Sequence, residues 1–466
     1  MRYEERAETH FLQTKRKAWG FGTIMFTNKQ LRKLVVPLVL EQLLSVTIGM
    51  ADTMMVASCG EAAVSGISLV DTISVLLIGL FSAMASGGAV TVAQYIGKGD
   101  GEKVSRASNQ LFMSVTALSV VFMAVALIGN RQILSVIYGR IDADVMRSAQ
   151  IYFYYNAVSF PFLGIYNSGA ALFRAVGNSK VSMQVSLFSN ILNVAGNALL
   201  IYGAGMGVAG AALSTLISRV LSAGVICFML MRKGDVPVSK KIGLDRPILN
   251  KILYIGIPSG LENSIFQVGK ILLSSLTASF GTAAITANAV TGSVGNFQLI
   301  PAGAIGTAIV TVVGQCVGAG EYKQARRYMF KLLWTAYLFV TIIGIGLIVF
   351  REPIFTMYNL SEETTRLTEK LLLYHCVCCM LMHPMSFALP NGLRAAGDVR
   401  FTMIVAIASM WICRLGLAYF LARGLNMGVF GIYVAMTADW LVRGICFLAR
   451  VLTGKWEKYM GVLTKE

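Results

Sequence analysis

The sequence predicts an all-α polytopic membrane protein, with twelve transmembrane helices in two six-helix bundles related by an internal repeat. Three observations carry that prediction. Of 466 residues, 56% are hydrophobic and only 14% are charged, and the mean hydropathy is +0.66, which is more apolar surface than a soluble globule can hide. Apolar runs long enough to cross a bilayer recur twelve times. The chain also superposes on itself when shifted by 221 residues.

A hydrocarbon core of about 30 Å needs about 20 apolar residues per helix. Runs of that size fall at approximately 34–58, 63–96, 107–129, 149–173, 181–202, 207–231, 250–279, 283–316, 328–350, 367–393, 400–422 and 427–450. The second and eighth are long enough to tilt or to continue beyond the lipid. Orientation follows from Lys and Arg, whose excess marks cytoplasmic loops. With residues at span ends counted to the adjoining segment, 29 of the 40 lie on the side of the N-terminus and 7 on the other. The remaining 4, Arg219, Lys270, Arg414 and Arg443, lie within spans.

The organisation read from this is a cytoplasmic tail at 1–33, an N-terminal lobe at 34–231, a cytoplasmic linker at 232–249, a C-terminal lobe at 250–450 and a cytoplasmic tail at 451–466. Both termini face the cytoplasm, and the membrane is the inner or plasma membrane. The same asymmetry accounts for most of the formal net charge of +17, so no nucleic-acid partner is needed to explain it. No removable signal peptide is read in the first 33 residues. Eight cysteines are scattered, most of them in apolar runs. The CxxC spacing of Cys376 and Cys379 would need further ligands to hold a metal, and no metal site is expected.

The repeat superposes the first span on the seventh and the second on the eighth without a gap. Pro37, Leu40 and Glu41 meet Pro258, Leu261 and Glu262, and Gln94, Gly97, Gly99 and Arg106 meet Gln315, Gly318, Gly320 and Arg327. Later the shift drifts: Arg174 and Gly177 match Arg394 and Gly397, while Gly207 and Gly210 match Gly428 and Gly431. Six spans per half is even, so both halves enter the membrane in the same direction. Transporters use such parallel repeats to rock two bundles around a site near the midplane.

A charge at the bilayer centre costs about 3 kcal/mol on insertion scales, so each one needs a reason. Glu41 and Asp52 are eleven residues apart, which returns them to nearly the same helix face about 16 Å apart. Glu41 also reads as a headgroup-level residue, and Asp52 as an interfacial one. In the fifth span Ser186, Asn190, Asn193 and Asn197 line one face. In the seventh, Asn263, Gln267, Lys270 and Ser274 do the same beside Glu262. Interhelical hydrogen bonding explains such amides; a wet, polar cavity is the sharper alternative. Lys270 is expected to have a carboxylate partner or water. Asp439 and Arg443 are spaced for an i, i+4 ion pair that Arg414 joins. His375 and His383 titrate near neutral pH when unperturbed, yet read first as packed residues. Prolines inside spans, Pro37 among them, kink helices and serve as hinges. No phosphate-cradling GxxxxGK[ST] and no acid, base and nucleophile cluster are present, so the chain reads as a transporter rather than an enzyme.

Taken together, Pro37, Asp52-Thr53, Gly60, Gln94-Tyr95-Ile96-Gly97-Lys98-Gly99-Asp100, Arg174-Ala175-Val176-Gly177-Asn178 and Gly205 through Ala212, with their echo in the second half, resemble the multidrug and toxic compound extrusion (MATE) transporters. The resemblance covers 34 to 450. It implies a V-shaped pair of lobes exporting organic cations and similar drugs against inward flow of H⁺ or Na⁺. It also implies an ion-coupling cluster at Asp52, fifteen residues after the hinge Pro37, with Asn193 and Thr215, and a polar cavity residue at Asn167. Asn197 departs from the pattern, standing where one branch of the family has a second Asp.

The function expected is therefore secondary active efflux of amphipathic, mainly cationic compounds in exchange for H⁺ or Na⁺, by alternating access. The coupling residues are Asp52, Asn193, Asn197 and Thr215, and the hinge is Pro37. Cavity candidates are Glu41, Asn167, Glu262, Asn263, Gln267 and Lys270. No cofactor beyond the coupling ion is expected. The partners are small-molecule drugs or organic cations and the lipid bilayer, and the chain is expected to act as a monomer. The rival reading is a flippase for lipid-linked saccharides, which requires an Arg- and Lys-rich cavity.

Overall fold

The computed structural model describes residues 25–139, 141–233, 243–358 and 360–459. Most of the N-terminal tail, the middle of the 232–249 linker and the end of the C-terminal tail lie outside the described residues. Among the described residues there are twelve long helices. The first six are α1 (Asn28–Ala57), α2 (Glu61–Lys98), α3 (Gly101–Ile128), α4 (Ala143–Ala175), α5 (Ser179–Gly203) and α6 (Gly207–Lys233). They are followed by α7 (Arg246–Ala278), α8 (Thr282–Gly318), α9 (Tyr322–Val349), α10 (Glu362–Ala395), α11 (Val399–Gly424) and α12 (Gly428–Leu452). Ten are long and apolar enough to cross a membrane by length and composition; α4 and α7 are not among them. Both run 33 residues, and polar residues such as Asn156 and Asn167 in α4, and Glu262, Asn263, Gln267 and Lys270 in α7, explain their lower apolarity.

Each expected span coincides with one long helix, and several helices begin earlier than their apolar runs. In α1 the reason is a capping box: Thr27 Oγ1 accepts from the Gln30 amide at 3.3 Å, and Gln30 Oε1 accepts from the Thr27 amide at 2.7 Å. This satisfies orphan amides in a polar first turn that a hydropathy run does not include. Asp100 caps α3 through the Lys103 amide at 3.0 Å, and Ser361 caps α10 through the Thr364 amide at 3.4 Å. Two short helices, Asn130–Tyr138 and Arg351–Tyr358, occupy segments read as loops. They too are related by the repeat.

The backbone carries the duplication residue by residue. Left-handed φ values recur as Gly60 and Gly281 (98° and 92°), Gly99 and Gly320 (75° and 77°), Gly177 and Gly397 (89° and 95°), and Gly207 and Gly428 (53° and 59°). At Gly205 (63°) the partner is Asn426 (52°), the side chain that best tolerates this region after glycine. The drift of the repeat by one residue between Gly177/Gly397 and Gly205/Asn426 has a visible cause. α5 has 25 residues and α11 has 26. Both end in a π-helical turn, Ala198–Gly203 and Phe420–Gly424, but α11 has a further π segment at Met410–Gly416. An inserted residue in a helix is absorbed as a π-bulge, and this one carries Arg414.

The chain divides into two compact units, Met1–Gly260 and Leu261–Glu466, so the division falls inside α7. The first part of α7 packs within the N-terminal unit, where a Cβ at Gly256 would meet Met84 and one at Gly260 would meet Leu80. Lys251 Nζ donates to the Tyr95 hydroxyl at 3.1 Å. Phe81 packs edge-on to Phe122 and Phe160, with ring centroids 5.9 and 6.0 Å away, joining α2, α3 and α4. In the C-terminal unit the corresponding aromatic knot is His383 stacked on Phe387 at 4.4 Å, with Trp440 of α12 edge-on to His383 at 5.2 Å.

Candidate functional site

In the N-terminal unit the polar face of α1 lies against α5. Asn197 Nδ2, on a fully buried side chain, donates to Asp52 Oδ1. Four residues earlier on α5, Asn193 Nδ2 donates to Thr215 Oγ1 on α6 at 3.2 Å, and the Asn193 carbonyl accepts from Ser214 at 2.7 Å. Gly196 permits this approach, because a Cβ there would collide with Ser214 Oγ. The four residues expected to form one cluster are thus brought together as two pairs across α1, α5 and α6. Asn197 keeps its Oδ1 without a partner among the described residues.

Residues that the sequence reading did not assign to it complete this region. Asp71 of α2 is within electrostatic reach of Asp52, of Arg219 and of Tyr152 of α4. Arg219 of α6 donates from Nη1 to Asn156 Oδ1 and to Ser159 Oγ, each at 2.6 Å. Asn156 in turn donates to Ser74 of α2 at 2.8 Å. Asp71 was findable, since it is an acid inside the second apolar run. The approach of Tyr152 was not, because it joins residues 81 positions apart. A cavity of about 140 Å³ lies beside the cluster, lined by Ser45, Tyr166, Ser186, Asn190, Arg219 and Ser222 among others. Two members of the expected fifth-span stripe therefore line a cavity, and two form interhelical hydrogen bonds. Asn167 of α4 has a buried Nδ2 with no partner among the described residues.

Glu41 is held away from this cluster. Its Oε2 accepts from Ser182 at 3.0 Å, and its Oε1 faces Arg174 at 3.6 Å. The repeat reproduces the pair: Glu262 Oε1 accepts from Arg394 at 2.7 Å. Arg443 reaches the same oxygen at 3.5 Å, while Glu262 Oε2 has no partner among the described residues. Both glutamates thus tie the first helix of their unit to the arginine ending the fourth.

Two expectations in the C-terminal unit are corrected. Asp439 does not pair with Arg443; it accepts from Arg414 at 3.4 Å and from Ser409, while Arg443 turns to Glu262. The partner across helices prevails over the one four residues along. Lys270 has no carboxylate partner among the described residues; its charged neighbour is the guanidinium of Arg414. Asn263 and Lys270 are exposed and Gln267 is half-buried, so this stripe is the open face of α7. His375 and His383 are buried, and both ring nitrogens of His375 lack hydrogen-bond partners among the described residues.

The MatE family model matches the chain twice, at residues 37–199 and 258–420, the offset of the internal repeat. The chain belongs to the MatE family. MatE proteins are membrane transporters rather than enzymes, as the missing catalytic cluster suggested, and this member is a multi-pass membrane protein. A protein described as probable multidrug resistance protein NorM of Thermotoga maritima is 26% identical over 449 residues, 94% of this chain and 95% of its own length. The uncharacterized transporter YisQ of Bacillus subtilis is 28% identical over 432 residues, 90% of this chain and 93% of its own. Solved MATE structures share the fold. One, an outward-facing conformation of a multidrug resistance MATE transporter of the MOP superfamily, has a TM-score of 0.85 at 18% identity, covering 94% of this chain and 97% of that one. Another, a MOP superfamily transporter from Pyrococcus furiosus described as having a binding pocket of reverse polarity, has a TM-score of 0.77 at 19% identity, covering the same shares.

Proposed function

We propose that this MatE protein is a secondary active antiporter exporting amphipathic, mainly cationic organic compounds in exchange for H⁺ or Na⁺. It would work as a monomer in the plasma membrane, with both termini in the cytoplasm. The observation that carries the reading is the meeting of Asp52 with Asn197 on α5, with Asp71 and Arg219 in electrostatic reach. Asn197 carries no charge, so Asp71 supplies the second carboxylate of this neighbourhood. Pro37 lies inside α1, fifteen residues before Asp52, and is the hinge in this reading. The relatives named for multidrug resistance support the substrate class.

In the mechanism proposed, an ion or proton at Asp52 weakens its hold on Asn197 and changes the packing of α1 against α5. Loss of that ion restores a carboxylate that attracts a cation. A ligand shifts the equilibrium between inward- and outward-open states only through its differential affinity for them. Competition between ion and drug for one carboxylate supplies that difference. Each net charge moved per cycle across 100 mV is worth about 2.3 kcal/mol, or roughly fiftyfold in accumulation, and is gained only when the ion inflow exceeds the charge exported.

The test is extrusion of a fluorescent lipophilic cation from cells expressing the wild type, Asp52→Asn or Asp71→Asn at matched levels, with proton and sodium gradients collapsed separately. Wild type extrudes, Asp52→Asn loses at least tenfold, and the sensitive gradient names the ion. Undiminished extrusion by Asp52→Asn removes that residue from coupling. Wild type that extrudes nothing overturns the export reading and favours a lipid-linked saccharide flippase, for which the arginines of the C-terminal unit would grip a pyrophosphate.

A further inference from the structure

The C-terminal unit holds a cluster of charge that the proposed coupling does not use. Glu262, Phe266 and Lys270 follow one another at four-residue steps along α7, so they share a face. That face runs from buried Glu262 through half-buried Phe266 to exposed Lys270. Two arginines from other helices lie over the Phe266 ring: Arg414 of α11 with its Cζ 5.1 Å from the centroid, and Arg443 of α12 at 5.8 Å. Both are buried, at 8% and 2% exposure. With Lys270 and Arg394 they make four cations, against the two carboxylates Glu262 and Asp439 that ion-pair within the cluster. Two positive charges are left uncompensated.

An unpaired charge inside a membrane-spanning bundle is expensive and marks a ligand or a pathway. The donors point the same way. Arg414 Nε, Arg443 Nε and Arg443 Nη1 are buried without hydrogen-bond partners among the described residues, and the exposed ammonium of Lys270 has no carboxylate beside it among them. Arg414 also sits on the π segment Met410–Gly416, which the N-terminal unit lacks; π-bulges in helices frequently occur at functional sites.

The geometry points to an anion-accepting site at Lys270 and Arg414, open at Lys270, that takes the carboxylate or phosphate of an aromatic or otherwise amphipathic molecule beside Phe266. It rests on the export reading above and deepens it: the compounds moved include zwitterions and organic acids, not cations alone. The same chemistry is offered by an anionic lipid headgroup.

The experiment uses a matched pair of dyes, rhodamine B with its free carboxylate and the ethyl ester of rhodamine B. Binding to the full-length protein in phosphatidylcholine nanodiscs is followed by fluorescence anisotropy for wild type, Lys270→Met and Lys270→Arg. Lys270 is exposed, so neither substitution disturbs packing. Wild type binds the free acid more tightly than the ester, Lys270→Met loses about tenfold for the acid alone, and Lys270→Arg retains the preference. If Lys270→Met binds both dyes as wild type does, Lys270 merely reaches toward the lipid interface and the anion site is overturned. If phosphatidylglycerol in the nanodisc abolishes the acid preference of wild type, the anion site stands and a lipid headgroup is its occupant. Efflux of the ester by wild-type cells is scored separately: its loss refutes the export reading, while a preserved efflux with no Lys270-dependent acid preference refutes only the anion site.

Discussion

In the N-terminal unit Glu41 faces Arg174 at 3.6 Å, and 221 residues later Glu262 accepts from Arg394 at 2.7 Å. Around this shared pair the two units diverge. Ser45, Gly49, Ser218 and Ser222 of the first correspond under the same shift to Phe266, Lys270, Asp439 and Arg443 of the second. Conversely Asp52 and Asp71 correspond to Leu273 and Gly292. Small polar residues, two acids and Arg219 line one copy; an aromatic ring, three cations with Arg414, and one acid line the other. Duplication kept the pair that fastens the first helix to the fourth, and the left-handed glycines that turn the chain. It released the faces that the proposed export assigns to cargo. One fold therefore presents opposite charge in its two halves.

The sharpest break in this comparison is at Asp439. It is fully buried and accepts from Arg414 and Ser409. Asp439→Ala leaves Arg414 as an uncompensated buried charge and lowers stability by about 3–5 kcal/mol. Ser218→Ala, at the corresponding place in the N-terminal unit, removes only a hydroxyl bonded to its own helix at 2.9 Å and costs under about 1 kcal/mol. Denaturant unfolding of the purified proteins in detergent compares them. Equal losses would mean that Arg414 finds another counter-charge.

The shared pair gives a smaller contrast. Glu262 serves two arginines and its side chain is 8% exposed; Glu41 serves one, at longer range, and is 13% exposed. Glu262→Ala is expected to cost about 3 kcal/mol and Glu41→Ala about 1 kcal/mol. The reverse order in the same unfolding assay would show that Arg443 is held by something other than Glu262. Beside the N-terminal cluster, Gly196→Ala drives a methyl into Ser214 Oγ and costs about 1–3 kcal/mol. Its extrusion of the lipophilic cation falls as well, because Ser214 and Thr215 both hold Asn193. An alanine variant with wild-type stability and extrusion would show that α5 and α6 have room to separate.

The long helices were legible because twenty-residue apolar runs are dictated by bilayer thickness, and the duplication was legible because Pro37/Pro258 and Glu41/Glu262 repeat without a gap. The short helices Asn130–Tyr138 and Arg351–Tyr358 were not, since eight or nine amphipathic residues leave no hydropathy signal. The site was half legible. Asp52 meets Asn197 and Asn193 meets Thr215, two pairs among the four residues that the resemblance grouped. The choice of Arg414 over Arg443 by Asp439 depends on where α11 passes α12, and a π segment that shifts register by one residue is invisible in helical spacing. Lys270 was conspicuous in sequence, but that its neighbour is a cation and not an acid is a fact of packing alone.

The smallest expected effect tests whether the two copies share their turns as closely as their backbones suggest. Gly205 and Asn426 occupy the same left-handed turn, at φ of 63° and 52°. Nothing lies within 4 Å of a Cβ built at Gly205, so any cost of substitution there is conformational rather than steric. For an ordinary L-residue that cost is about 1–2 kcal/mol, and asparagine reduces it through local hydrogen bonding. Gly205→Ala should therefore lower stability by about 1 kcal/mol, and Gly205→Asn, which writes the C-terminal residue into the N-terminal turn, by less than about 0.5 kcal/mol. Asn426→Gly should change stability by a similarly small amount, because relief of strain is offset by greater freedom in the unfolded chain. If Gly205→Asn proves as costly as Gly205→Ala, the side chain of Asn426 is doing something in its own turn that glycine cannot, and the two turns are alike in φ only.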